Sequence, residues 1–380
     1  MRRQRRAGTR RLGARPAVDS PAGIAILRPG SAPAQGSSAA DARWQRAWSA
    51  WSSWGPAVRR IGTVLLIAWF AWHTYARISF FVAHRFPAGI DATIYYRGVV
   101  AWLHGTDPWA AAVFVGSTPF HYAGSPVTTV LMAPAALLGE HEFTIAWLVL
   151  TWAAAIWTLR RLRLPLWWLL FPPLAEALFS ANPQIVVLAL LVSGNGLAAA
   201  LATGLKVYAF IPLAGERRWR QLVLAVAVNA ATILVAPALW VAYVGRFGAI
   251  SSRLAVESLG GLSAYPVPLL LAVTCAALAL LVLVGRELRT AGWLAVPAIW
   301  PSSQFHYSTM ALPVMTPFLA VLLAVPQMQL PAIVISLEVG RRLLAKGAAR
   351  WIVPARPAPA GAPAPNALPV PEPRTARIAS

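Results

Sequence analysis

Residues 88–124 read AGIDATIYYRGVVAWLHGTDPWAAAVFVGSTPFHYAG and follow directly on an apolar stretch, 61–82, of membrane-crossing length. About 20 apolar residues are needed to cross a bilayer, so Asp91 is placed just beyond the membrane. It opens a short amphipathic segment. Ala92, Tyr95, Tyr96, Val99, Trp102 and Leu103 share one broad apolar face at helical spacing, and Thr93, Arg97 and His104 fall on another. Acids are scarce: 12 Asp and Glu against 33 Lys and Arg in 380 residues. A carboxylate at a membrane surface, in a chain that hardly uses carboxylates, is a candidate reagent. The plain structural alternative is a helix N-cap. The two roles are compatible, because a capping carboxylate is also rigidly aimed.

The composition around this stretch sets the class. Hydrophobic residues make up 58% and charged residues 12%, with mean hydropathy +0.59, which points to an all-α, polytopic integral membrane protein with the lipid bilayer as its first partner. The net charge of +21 does not indicate a nucleic-acid partner. The basic residues fall in tails and short turns between apolar segments, where the positive-inside bias puts them. The lone cysteine, Cys275, lies mid-segment and offers neither an intramolecular disulfide nor a metal cluster.

Working outward, residues 1–60 read as a basic cytoplasmic tail. Its first forty residues are rich in Arg, Pro, Ser and Gly and are expected to be disordered. The Arg-rich start resembles a targeting peptide, but no short apolar core with a cleavage site follows, so no removal is expected. Within 41–54, Trp44, Trp48 and Trp51 recur at helical spacing, which predicts a helix lying on the inner leaflet or packed on the membrane domain. Candidate spans are 61–82, 142–159, 164–180, 221–244, 265–285, 291–304 and 309–327, with 184–214 as a longer block. Basic clusters at Arg59-Arg60, Arg160-Arg161-Arg163, Arg217-Arg218-Arg220, Arg286-Arg289 and Arg341-Arg342-Lys346 orient them, all cytoplasmic. That parity makes 125–139, interrupted by Pro134, a re-entrant or interfacial helix inside one large outer loop, roughly 83–141. The block 184–214 is broken at Gly194-Asn195-Gly196 and is expected to cross three times by short helices. The fold class expected is therefore about ten transmembrane helices with a large first extracytoplasmic loop carrying juxtamembrane helices. The membrane domain spans 61–330, an amphipathic basic segment 331–353, and a Pro/Ala-rich disordered tail 354–380. Both termini are cytoplasmic in this reading.

With that topology, nearly every group capable of chemistry collects on the outer face. Asp91, Arg97, Asp107, His121, Tyr122, Asn182, Gln184, His306 and Tyr307 all fall there, and Lys206 joins them at a turn of the broken block. Glu176, in FPPLAEALFS, is either functional or snorkels outward. Glu140-His141-Glu142 reads as acids starting a helix in preference to a ligand set. Gly194-x-Gly196-x-x-Ala199 lacks the strand–helix context of a dinucleotide site. No metal and no cofactor are expected.

The order Asp91, Tyr95-Tyr96, Gly105, Asp107-Pro108-Trp109, Pro126 and a Pro134-containing apolar helix resembles glycosyltransferase family 87, of the GT-C superfamily. So do Asn182-Pro183-Gln184 heading a short helix, ALATGLK ending at Lys206 with RRWR after it, and the late segment WPSSQFHYSTMALPV. The resemblance covers roughly 60–330. Two departures are Val207-Tyr208 where the family more usually carries proline, and His121-Tyr122-Ala123-Gly124 in place of an aromatic-Pro-Pro run. The resemblance implies a plasma-membrane enzyme with an extracytoplasmic site. It would move mannose, or alternatively arabinofuranose, from a polyprenyl-phosphate-sugar donor to a glycolipid or polysaccharide acceptor by a single inverting displacement. Asp91 would be catalytic. Tyr95, Tyr96, Arg97, His121, Tyr122, Asn182, Gln184, Lys206, His306 and Tyr307 would bind substrate. A transporter or lipid flippase is the competing class. Such proteins place ionisable groups near the bilayer midplane and carry internal repeats, neither of which this sequence displays.

Overall fold

The structure, a computed structural model, describes residues 55–257 and 262–351. The expected disordered tails and the Trp-striped helix at 41–54 lie outside the described residues. What is described is mostly helical. Fourteen helices, numbered here in chain order, are joined by short 3-10 turns. The first two are α1 (Pro56–Ala83) and α2 (Ile90–Leu103). A short hairpin follows within the otherwise helical chain, with β1 (Ala112–Val115) antiparallel to β2 (Thr118–His121) and Ala112 facing His121 in register. Next come α3 (Pro126–Met132), α4 (Glu140–Arg161), α5 (Pro172–Ser180), α6 (Pro183–Ser193), α7 (Gly196–Leu205) and α8 (Phe210–Gly215). The chain continues through α9 (Trp219–Val235), α10 (Pro237–Glu257), α11 (Pro268–Leu283), α12 (Leu288–Ile299), α13 (Pro317–Leu322) and α14 (Leu330–Trp351).

Among the described residues, α1 and α4 are each long and apolar enough to cross a membrane, and the number rises to 4 if each of two bent pairs is one span. Proline explains why the expected spans are shorter and more broken than the hydropathy pattern suggests, since it removes a backbone donor and clashes with the preceding turn. The apolar run 221–244 is not one helix. Ahead of Pro237, Ala236 leaves the helical region (φ −138°, ψ 62°), and α9 meets α10 at a bend of 106°. The run 164–180 is likewise cut by Pro172-Pro173 into a 3-10 turn, Leu166–Leu170, and α5. The run 309–327 becomes a ten-residue 3-10 helix, Phe305–Val314, followed by α13. The break expected in 184–214 is present, with Asn195 accepting from the N–H groups of Leu197 and Ala198 to cap α7.

The core sits where α5, α6, α12 and the 3-10 helix 305–314 meet. In α6, Pro183 through Leu188 are all buried, as are residues 305–314 throughout. Around this centre, α1, α4, α9 and α11 turn large apolar side chains outward, among them Leu65, Trp72, Val149, Trp152, Val223, Leu234, Leu269 and Leu283. Water would penalise such a surface, whereas lipid tails would not. α14 buries Ala332, Val334, Ile335, Glu338 and Val339 against α11, α12 and α13.

Candidate functional site

Asp91 does not cap α2. The cap position is Gly89, in the left-handed region (φ 81°), with no side-chain cap. The Gly89 N–H is taken by the Phe179 carbonyl of α5 at 2.8 Å. A Cβ at Gly89 would lie 2.6 Å from Thr144 Cγ2 of α4, so only glycine lets α2 begin pressed into this corner. Asp91 is thereby one place inside the first turn, and its carboxylate is free to point elsewhere.

It points at Asn182. α5 ends with Ala181 left-handed (φ 54°) and the Asn182 N–H bonded to the Ala177 carbonyl at 2.9 Å, a Schellman closure. Asn182 then caps α6. Its Oδ1 accepts the Gln184 N–H at 2.9 Å, with Pro183 in the first helical position. Because the cap uses the oxygen, the amide nitrogen faces outward, and it donates to Asp91 Oδ2 at 2.8 Å. The turn of 115° between α5 and α6 thus both ends one helix, starts the next and holds the carboxylate.

Lys206 reaches the same place from the opposite side. α7 stops there in an extended conformation (φ −147°, ψ 115°). The Thr128 hydroxyl of α3 donates to the Gly204 and Leu205 carbonyls at 2.8 and 3.2 Å, fixing the approach. The ammonium lies 5.5 Å from the Tyr95 ring centroid and 5.8 Å from that of Tyr307, within electrostatic reach of Asp91. Such cation–π contacts hold a cation without neutralising it. Tyr95 packs edge-on against Tyr122 at 5.4 Å, and the Tyr122 hydroxyl shares a hydrogen bond with the Thr129 hydroxyl at 2.9 Å. Gly98 leaves room for the Tyr122 ring, since a Cβ there would overlap it. Burial pushes the Tyr95 phenol up, opposed by Lys206, and burial pushes Tyr122 up further. Both remain neutral phenols that shape and hydrogen-bond; neither is a nucleophile.

Beneath Asp91 and Lys206 the polar chain continues inward. Gln184 donates to the Thr309 hydroxyl at 3.5 Å, and Thr309 donates to the His306 carbonyl at 2.8 Å. The His306 ring lies tilted against Tyr307, and its Nδ1 lies 3.3 Å from Glu176 Oε1. Arg77 Nε donates to the other Glu176 oxygen at 2.5 Å. Asp91 and Lys206 are part-exposed, whereas Asn182, Gln184, His306, Tyr307 and Glu176 are buried. Gln184 Oε1, His306 Nε2, Ser180 Oγ and Ser308 Oγ, on α5, α6 and the 3-10 helix 305–314, are buried polar atoms without a protein partner.

Of the residues expected at the site, Asp91, Tyr95, Tyr122, Asn182, Gln184, Lys206, His306 and Tyr307 are brought together. Three are placed differently. Tyr96 donates to the Leu138 carbonyl at 2.8 Å and packs on Phe143. Arg97 makes a two-point pair with Glu140, at 2.8 and 2.9 Å, and reaches the Ala112 carbonyl, so it braces the hairpin; the bonds it donates to Glu140 raise its pKa. His121 ends β2 opposite Ala112. Two further groups belong to the site. Glu176 faces inward to a cation and an imidazole and does not snorkel. Arg77 carried a readable signal as a charge near the end of an otherwise apolar helix, but its partner stands 99 positions away. Arg253 of α10 donates to the Trp109 and Tyr122 carbonyls at 2.8 and 3.2 Å, tying the hairpin loop down from above. No family model matches the chain, and no curated protein or solved structure matches it.

Proposed function

We propose that this chain is an integral-membrane glycosyltransferase that moves a sugar from a polyprenyl-phosphate donor to a hydroxyl of a cell-envelope glycolipid or polysaccharide, with mannose as the expected sugar. The observation that carries the reading is the approach of the Asp91 carboxylate and the Lys206 ammonium, within electrostatic reach of each other beside a buried polar cluster. In this reaction the acceptor oxygen attacks the anomeric carbon as the bond from that carbon to the phosphate oxygen breaks. The acceptor proton passes to Asp91, and the departing phosphate carries the negative charge. A phosphate is a good leaving group, so one general base suffices, a contribution of about 10²–10⁴-fold. A hydrolase, by contrast, commonly uses a carboxylate pair. Charge on the leaving phosphate needs a cation. Arg97 is engaged by Glu140 and Arg253 is committed to two backbone carbonyls, while Lys206 sits between aromatic rings within electrostatic reach of Asp91. The displacement inverts the anomeric centre.

The bilayer supplies the rest of the arrangement. We place about ten crossings in the chain, with both termini cytoplasmic and the Asp91 cluster outside. An apolar groove lined by Leu131, Met132, Leu138, Phe143, Trp147 and Leu150 suits the donor's prenyl chain. Trp147 donates to the Ala181 carbonyl at 3.0 Å, next to Asn182, which links that groove to the site. The test is transfer from radiolabelled polyprenyl-phosphate-mannose to envelope lipid extract by membranes carrying the protein. Wild type should transfer label and Asp91→Asn should not. A cysteine placed at exposed Thr106, with Cys275 replaced, should react with an impermeant thiol reagent in intact cells; labelling only after permeabilisation would overturn the orientation.

A further inference from the structure

The described residues hold a second carboxylate inside the same polar cluster that the displacement does not use. Glu176, 4% exposed, stands between Arg77 and His306, at 2.5 Å from Arg77 Nε and 3.3 Å from His306 Nδ1. Each contact goes to a different oxygen of the carboxylate. A carboxylate paired this closely with a guanidinium is ionised and can only accept. The hydrogen in the Glu176–His306 contact therefore belongs to Nδ1. The charges of Glu176 and Arg77 cancel, and Tyr307, tilted against the His306 ring at 5.0 Å, carries the Lys206 ammonium over its own ring. In the Nδ1–H tautomer the other nitrogen, Nε2, carries the lone pair. That nitrogen is buried and has no protein partner.

We propose that Glu176, clamped by Arg77, is a positioning residue that fixes His306 as the Nδ1–H tautomer and so presents Nε2 as a hydrogen-bond acceptor for a hydroxyl of the bound sugar. The hydroxyl part rests on the transferase reading; the tautomer does not. His306 then recognises a donor group on the substrate and does not contribute a charge to the phosphate. Ser308, two residues on, and Gln184 add hydroxyl and carbonyl oxygens without protein partners, and those are groups that bind a polyhydroxylated ring.

The experiment is solid-state ¹⁵N NMR of the full-length, histidine-labelled protein in liposomes, with the His306 signals assigned by their loss in His306→Gln. The wild-type spectrum should show Nδ1 protonated and Nε2 unprotonated. Glu176→Gln replaces an obligate acceptor by an amide that can donate to Nδ1, and should move the proton wholly or partly to Nε2. A wild-type Nε2 that carries a proton overturns the proposal even if the variant fails to fold, and so does an unchanged tautomer in a folded Glu176→Gln. Adding synthetic polyprenyl-phosphate-mannose should shift the Nε2 resonance. If wild type transfers sugar while Nε2 stays unmoved by donor and by acceptor extract, hydroxyl recognition is overturned. If wild type transfers nothing to any acceptor while the tautomer is as stated, it is the transferase reading that has failed.

Discussion

Among the described residues, the acids near the basic turns and Asp91 lie in different surroundings. Towards the basic turns, each acid is saturated with positive partners. Glu338, fully buried, takes bonds from Arg341 at 2.7 and 2.8 Å and from Arg342 at 2.8 Å. Glu287 is paired with Arg342 and Lys346, both at 2.7 Å. Glu216 is bonded by Arg289 at 3.0 Å and by the Trp293 indole at 2.8 Å, with Arg218 against its other oxygen. At the opposite kind of site, Asp91 takes one bond from a neutral amide, and Lys206 rests on aromatic faces. Saturated acids tie α12, α14 and the turns between helices into one frame and have no capacity left for chemistry. A carboxylate with one neutral partner, near a cation that rests on aromatic faces, keeps hydrogen-bonding capacity that the saturated acids lack. The contrast sets Asp91 apart from the acids of the frame.

Substitutions can break that contrast. The largest effect is expected at Asp91. Asp91→Asn keeps shape and can still accept from Asn182, so thermal unfolding should change little while transfer falls by about 10²-fold or more. A variant that retains most of its transfer would dissolve the distinction drawn here. Lys206→Met keeps the aliphatic stem between the rings and removes only charge. Transfer should fall by about 10²-fold, as for loss of one charge-stabilising donor elsewhere, with the protein still folded in detergent. At the frame the signs reverse. Glu338→Gln removes the buried charge that Arg341 and Arg342 share, although Arg341 is half-exposed and Arg342 keeps Glu287, and should lower stability by about 1–3 kcal/mol, read as a fall in thermal midpoint. Turnover of the surviving protein should match wild type. The smallest effect belongs to Asp107, whose Oδ1 accepts the Trp109 N–H at 3.1 Å and which pairs with half-exposed Arg246. Asn caps nearly as well, and an exposed pair contributes little, so Asp107→Asn should change stability by less than about 1 kcal/mol and transfer by less than about threefold.

Much of the site could be read from the chain, and the reason is chemical scarcity. Asp91, Lys206, Asn182 and His306 are polar residues in long apolar surroundings, and such residues need partners wherever they are. Boundaries were also legible where the breaker is local, as at Gly194-Asn195-Gly196. Other breakers were equally visible and were outweighed by hydropathy: Pro237 and Pro172-Pro173 divide stretches whose apolar content alone suggests single spans. The hairpin was harder to see. Its strands are four residues each, AVFV and TPFH, and the second carries Pro119, so neither shows the alternation that marks a strand. Asp91 looked like a cap because the residue type and position fitted. That the corner is occupied by Thr144 and the Phe179 carbonyl, which leaves only Gly89 to cap, is a tertiary fact. The Arg77–Glu176–His306 chain joins residues 99 and 130 positions apart, and no local pattern in a single sequence ties such residues together.

Asn182 narrows what evolution or an engineer can do at this position. Among the residues that cap helices well, Asp would set a second carboxylate against Asp91, and one of the two would have to hold a proton, silencing the base. Ser and Thr would place acceptor and donor on a single oxygen, too short to span from the Gln184 N–H to Asp91, and Gly would offer neither. Asparagine alone divides the two tasks between two atoms on one rigid plane. Any drift that preserves the helix start but changes this side chain should therefore leave a protein that folds, inserts and accumulates normally yet does nothing. Inactive copies of this design would be recognised by that one letter before any change at the carboxylate itself.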